Sequence, residues 1–454
     1  MKTRLMAIFA AMMVLSISIP ASAGIVPTAS MQVDRYTAAS KTWSTLSGNE
    51  LHVTLGDTFR VIENCNLTDA VFSPVYWYMH DGAALSIKQS ISQLGVYVAT
   101  RPGSVSFHGL ATDSVSDIAM ATRVYIDLPS GWTVVILPPK SGQNTGIASG
   151  QVGSVTAGSS GYAYLWSKMT AKLVDLTPVG YTASACLGVS DDQQVGFASK
   201  AGRSSQACLW NGSANSYVDL SNSEWHDSKA NGVCNGQQVG YYTKTDDSGI
   251  YFYGCLWNST AASLIDLTPP GYTGSIAYGT DGHQQVGLAY SPSFGGPCLW
   301  NGSATSFVDL TPGGGYIDSK ATCVSNGLQA GTASIMLAGY SYNHIHAAMW
   351  TGSAESFVDL NPTGYISSEV DAIYDGIEVG KSAKPKVWGE SPQPPHASMW
   401  TGTAESFLDL HDLLPAGYTS STASGIYKNS NSIYIIGSAG TASSSNMVMW
   451  IYTK

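Results

Sequence analysis

Three histidines open the question of chemistry. His344 and His346 stand two apart in "NHIHAAMW", and His396 occupies the slot of His346 in "HASMW". On a strand, alternate residues share a face, so a His-x-His pair can present two imidazoles to one metal ion. Two ligands are half of a tetrahedral set, and no third follows at ligand spacing, so no metal and no cofactor is assigned. Carboxylates recur as well. Asp175, Asp219, Asp266, Asp309, Asp359 and Asp409 each stand at the centre of a "VDL"-like triplet, nine residues after a tryptophan. Such an Asp either caps a turn or contributes to a ring of metal ligands. Its place on an outermost strand favours the cap. The adjacent pair Asp246-Asp247 reads as a solvated loop. No G-x-S-x-G, H-E-x-x-H, P-loop or EF-hand pattern occurs.

Aromatic residues form the third group. Between the Gly of each "QVG"-like triplet and the next repeated Trp, the gap runs from 13 to 20 residues, while the Trp-to-Asp spacing is constant. Insertions therefore gather in one class of loop, and loops on a rigid scaffold carry function. These loops hold Tyr251, Tyr253, Phe294, Tyr340, Tyr342, His344, His346, Trp388 and His396. They are the candidate ligand-binding set, since aromatic faces beside polar groups suit a sugar ring. The competing reading is that they pack the longer loops onto the scaffold.

What positions these residues is a repeat. Tryptophans fall at 166, 210, 257, 300, 350, 400 and 450. Each unit carries four short apolar runs: S-x-A-x-G-V, Q-V-G-x-A, A-x-L-W and Y-V-D-L. Asn235-Gly236, Asp281-Gly282, Asn326-Gly327 and Asp375-Gly376 stand between the first two runs, as tight hairpins require. Four strands per unit without helical periodicity predict an all-β chain with a β-propeller over residues 132–454. Trp450 is followed only by "IYTK", so its blade lacks an outer strand. "WTVVILPP" (132–139) matches that strand, with Ile136 in the Asp slot. Seven blades result, with N- and C-terminal strands closed as Velcro in one sheet, Val134–Leu137 lying beside Met449–Tyr452. Such closure removes an exposed edge.

Residues 24–131 lack the repeat and read as a small immunoglobulin-like β-sandwich domain. Residues 1–23, with Lys2 and Arg4 ahead of an apolar run and Ala21-Ser22-Ala23, read as a signal peptide. The mature chain is then expected to be secreted, periplasmic or at a cell surface, with no integral membrane segment. The formal charge is −10 and no Lys or Arg run occurs, which argues against a polyanion such as nucleic acid or heparin as a partner. Cys208, Cys255 and Cys298 share one repeat slot, too far apart for disulfides, and read as small buried hydrophobes.

The "HAAMW" and "HASMW" segments, followed by "DL" and then "G-x-Q/E-V-G", resemble the units of bacterial HAF-type extracellular repeat proteins. The resemblance covers about residues 140–454 and departs from the pattern where Gln206 or another residue replaces the His. It implies an exported bacterial protein with a propeller-like domain, and brings no catalytic residues with it. The expected function is a non-catalytic binding or scaffold protein whose long-loop face holds an extracellular glycan or a surface protein. The alternative is a secreted carbohydrate-active enzyme, a polysaccharide lyase or glycoside hydrolase, with its site at the propeller mouth.

Overall fold

The structure is a computed structural model of the full chain. It describes residues 29–37, 42–47, 51–54, 57–65, 71–72, 76–80, 84–91, 94–101, 103–112, 117–129, 131–137, 147–149, 154–157, 162–166, 173–190, 193–246, 249–291, 294–336, 343–385, 393–441 and 444–454. The signal peptide proposed for residues 1–23 lies outside them. The chain divides into two compact units near residue 126.

In the N-terminal unit two antiparallel sheets pack face to face. One contains Ala29–Thr37, Thr58–Cys65 and Leu94–Arg101, and the other Leu51–Thr54, Gly103–Thr112 and Asp117–Asp127. Phe59 and Tyr97 of the first sheet meet Phe107 of the second at ring distances of 6.0 and 5.1 Å, all three fully buried. That contact makes the unit a sandwich.

The second unit is a β-propeller. Seven four-stranded antiparallel sheets follow one another, and we number them as blades 1–7. Blade 2 is typical: inner strand Ala183–Ser190, second strand Gln193–Ser199, third strand Gln206–Trp210 and outer strand Val218–Asp219. Blade 3 spans Ser228–Asp266, blade 4 Gly274–Asp309, blade 5 Tyr316–Asp359 and blade 6 Ser367–Asp409; blade 1 spans Ile147–Asp175. Blade 7 is assembled from both ends of the unit. Its outer strand, Trp132–Leu137, pairs antiparallel with the third strand Ser445–Thr453. Ile136 faces Val448, two residues before Trp450, just as Asp219 faces Cys208 two before Trp210, so Ile136 does take the Asp slot. The register sets Val134–Leu137 against Met447–Trp450, two residues from the pairing expected with Met449–Tyr452.

The core lies between blades. Trp210, Trp257, Trp300, Trp350, Trp400 and Trp450 are fully buried, and Trp257 packs with Val195, Leu209 and Leu220 of the preceding blade. The "QVG" glycine has a reason the repeat alone does not reveal. The inner strands of blades 2–7 each carry a bulge, at residues 187, 231, 278, 322, 371 and 424. Beside the bulge, the inner strand's carbonyl lies over the glycine. A Cβ on Gly240 would sit 1.9 Å from the Lys229 oxygen, and one on Gly437 1.8 Å from that of Thr422. The blade-to-blade approach expected of small residues falls at Gly232 and Gly279, whose added Cβ would meet the next inner strand at 3.0 and 2.8 Å.

The first hairpins turn as expected in three blades, where Asn235, Asn326 and Asp375 adopt φ of 49°, 51° and 48° ahead of their glycines. Blade 4 differs. Its turn is two residues longer, and only Gly282 is left-handed, at φ 90°. Asp281 instead folds the loop through its side chain, accepting the N–H of His283 and Gln284.

Two sets of side chains fasten neighbouring blades. The inner-strand serines Ser184, Ser228, Ser275, Ser368 and Ser421 accept an N–H from the preceding blade's third strand, at 2.9–3.0 Å. Ser319 does not, because the residue in that slot is Pro297, which has no N–H; its hydroxyl turns to Ile317 O at 3.5 Å. On the opposite rim from the long loops runs a glutamine ladder. Gln238, Gln285 and Gln329 donate to Gln193, Gln237 and Gln284 of the blade before, at 2.8–3.0 Å. The ladder stops at blade 6, where Glu378 faces a blade whose corresponding residue is Leu328.

Candidate functional site

The "VDL" carboxylates are structural. In all six blades that have one, Asp Oδ1 accepts the N–H two residues on, which ends the outer strand in a turn. The other oxygen collects hydroxyls and imidazoles. Tyr316 and His346 Nδ1 both reach Asp359 Oδ2, at 2.7 and 2.8 Å, and Tyr365 and His396 Nδ1 reach Asp409 Oδ2 at 3.2 and 2.8 Å. Burial opposes ionisation of both acids, yet these hydrogen bonds hold Asp359 and Asp409 below the usual carboxylate range.

The predicted histidines are thus placed in the wall of the propeller. His344 and His346 do share a face of the third strand Asn343–Trp350, and both are buried. Burial, with His346 beside it, lowers the pKa of His344. The ring of His396 stacks on that of His411 at 4.0 Å. His411 in turn contacts Ser421 Oγ through Nδ1 at 2.8 Å. Among the described residues no three His, Cys, Asp or Glu side chains gather as a metal set.

Tyr251 and Tyr253 lie elsewhere, on the long hairpin of blade 3, Gln237–Asp246 with Gly249–Trp257. Tyr340, Tyr342 and Trp388 lie outside the described residues. Phe294 starts the third strand of blade 4, and only its main chain is described. Tyr251 and Tyr253 therefore belong to a different blade from His344 and His346, and from His396.

The blade 3 hairpin projects beyond its neighbour because the matching loop of blade 2 is a short turn closed by Arg203 N–H to Lys200 O. The side facing blade 2 carries Tyr242, Lys244, Tyr251 and Tyr253, paired across the strands as Tyr242 with Tyr253 and Lys244 with Tyr251. Trp225, from the link into blade 3, completes a column. Its ring stacks on Tyr242 at 4.5 Å and 16°, and Tyr242 stacks on Tyr253 at 5.2 Å and 15°. Lys244 Nζ sits over Tyr242 and Tyr253 at 5.6 and 5.9 Å. Tyr242 donates its phenol to Asp266 at 2.9 Å, which fixes the central ring; burial first, then that carboxylate, pushes its pKa far up. Trp225, Tyr251 and Tyr253 are half-buried and Lys244 is exposed, so the column has an open flank.

Sequence reasoning did not single out Trp225 or Lys244. A signal was present. Trp225 occupies the slot held by Tyr181, Tyr272 and Tyr365 in the other links, where the ring packs on an outer-strand aromatic of the same blade. Trp is the wrong residue for the phenol-to-Asp bond, and Tyr242 makes it instead.

A second cluster involves the inner strand of blade 6. Glu369 pairs with Lys381 at 3.0 Å. Asp371 is exposed to solvent on the same strand, yet the protein atoms crowded around its carboxyl push it up to about 6, against the pull of Lys381 and Lys320 and with Glu369 adding to the rise. The thiols of Cys208, Cys255 and Cys298 are buried, and burial pushes them well up, which suits packing and not nucleophilic chemistry.

No protein-family model matches the chain, and no curated protein matches it. Solved structures of similar shape include puromycin hydrolase, at 9% identity over 66% of this chain and TM-score 0.44. The β-propeller domain of the Trilobed protease from Pyrococcus furiosus is 9% identical, with 73% of this chain and 96% of that one covered and TM-score 0.40. TolB from Acinetobacter baumannii is 10% identical, with 72% and 78% covered and TM-score 0.34. The chain spans 51% of the length of puromycin hydrolase. These are likenesses of fold, and no activity comes with them. Among the described residues no helix is long and apolar enough to cross a membrane.

Proposed function

We propose that this chain is an exported, non-catalytic propeller that binds a glycan on its long-loop face. The observation that carries the reading is the column Trp225–Tyr242–Tyr253. Three rings are pre-stacked, the middle one is pinned by a hydrogen bond, and a flank is open where the neighbouring blade's turn is short. Rigid aromatic surface of this kind binds sugar rings at little entropic cost. Trp225→Ala and Tyr253→Ala each remove a ring from the open flank. Against a glycan array, both are expected to weaken the retained glycans about tenfold or more, corresponding to ~1.4 kcal/mol or more, with the melting profile showing a folded protein. Unchanged binding in both variants overturns the reading.

The enzyme alternative would use the carboxylates of the blade 6 inner strand, Asp371 and Glu369, the first of them exposed and raised above the usual carboxylate range by its surroundings. A reducing-end or unsaturated-product assay on the retained glycans decides it. Turnover abolished by Asp371→Asn favours the enzyme, and binding without turnover favours the scaffold.

A further inference from the structure

The lysine of the blade 3 column is one of three in equivalent positions. Counting six residues on from Gln194, Gln238 and Glu378, at the long-loop end of each second strand, gives Lys200, Lys244 and Lys384. The same count in blades 4 and 5 gives Ser291 and Ile335. In each lysine-bearing blade the ammonium lies over aromatic rings of that blade. Lys200 sits over Tyr181 at 4.9 Å, Lys244 over Tyr242 and Tyr253, and Lys384 over Tyr365 at 5.4 Å. Tyr181 and Tyr365 are fixed at their far ends, by Tyr217 and Asp409.

All three lysines are exposed, and none forms an ion pair among the described residues. The formal charge of −10 disfavours polyanions in general, so an anionic polymer has to be held locally, at lysines such as these. The ring faces supply the reason they stay at the rim, since a cation over an aromatic face is held without being neutralised. Each position therefore offers an apolar ring flank and a positive charge side by side. A neutral sugar uses only the first. A sugar bearing a carboxylate uses both.

We infer that the long-loop rim carries three copies of a lysine–aromatic shelf, in blades 2, 3 and 6, and that together they hold a repeating anionic glycan of the uronate class. This rests on the glycan-binding reading above and names its ligand. Blades 2 and 3 are adjacent, so two residues of one polymer can engage two shelves, and multivalency then raises the affinity for a polymer over that for its monomer.

The test measures binding of the full chain to polygalacturonate, to dextran as a neutral polymer, and to poly-glutamate as an anionic polymer without sugar rings. Lys200→Gln, Lys244→Gln, Lys384→Gln and the triple variant are compared with wild type. Polygalacturonate is expected to bind at least tenfold more tightly than either control and to weaken as salt is added. Each single variant should lose about threefold to tenfold, and the triple variant should fall to the level of dextran. Equal binding of dextran and polygalacturonate overturns the inference and leaves the glycan reading standing. Equal binding of poly-glutamate overturns the sugar class. A triple variant that still prefers polygalacturonate overturns the shelves. Failure to bind any glycan overturns both readings.

Discussion

Glu378→Gln should stabilise the propeller, and only above acidic pH. In blades 3, 4 and 5 the glutamine in this slot makes two kinds of bond. Its oxygen accepts the N–H of a turn residue, as Gln329 does from Gly352 at 2.7 Å. Its nitrogen donates to the carbonyl two residues back, as Gln329 does to Gly327 O at 2.8 Å. Glu378 keeps the first bond, through Oε2 to Gly402 N at 2.8 Å. Its Oε1, in a fully buried side chain, has no hydrogen-bond partner, since an ionised oxygen cannot donate to the Gly376 carbonyl. A buried unmet acceptor costs about 1–3 kcal/mol. Burial accordingly raises the pKa of Glu378, with the Gly402 N–H working the other way.

The sign follows from linkage. A folded-state pKa above the unfolded one means the native protein binds the proton more tightly. The contribution is fully present below the unfolded value of about 4.3 and is lost as pH rises through the folded value. The amide introduced by Glu378→Gln would donate at every pH. Against wild type, the variant should be near neutral at pH 4 and about 1–2 kcal/mol more stable at pH 7, a rise of a few degrees in melting temperature for a unit of this size. Thermal melts of both proteins across pH 4–8 read this directly. Asp371 titrates in both proteins and so cancels in the comparison. An advantage of equal size at pH 4 and pH 7, or a less stable variant at pH 7, refutes the reasoning.

Two further outcomes follow from the blade junctions. Ser275→Ala strips the acceptor from the buried Gly254 N–H and should cost about 1–3 kcal/mol, whereas Ser319→Ala, whose partner slot holds Pro297, should cost well under that in the same chemical denaturation series. Gly240→Ala forces a Cβ against the Lys229 carbonyl and should cost at least about 3 kcal/mol. Gly236→Ala, which meets nothing within 4 Å but stands at φ 77°, should lose only about 1–2 kcal/mol; parity between these two variants in denaturant midpoint would contradict the bulge explanation.

The ring was legible in the chain. Strand period, turn residues and the Trp-to-Asp spacing are local and repeat from unit to unit, so the count of blades and the need for Trp132–Leu137 to complete the last one could be read from spacing alone. Closure then follows, because an unpaired outer strand is the one defect in that inventory. Contacts between units were not legible, because they depend on which face of a strand meets which neighbour. The His-to-Asp distance of thirteen residues, from His346 to Asp359 and from His396 to Asp409, is plain in the chain. Only the third-to-outer strand pairing turns it into a hydrogen bond and puts those histidines in the wall. Trp225 and Tyr253 are 28 residues apart and look unrelated until the long hairpin brings Tyr242 between them. Tertiary structure decided the site for that reason: a binding surface is made from the sides of strands left uncovered by a shorter neighbour, and no single repeat records how far its neighbour reaches.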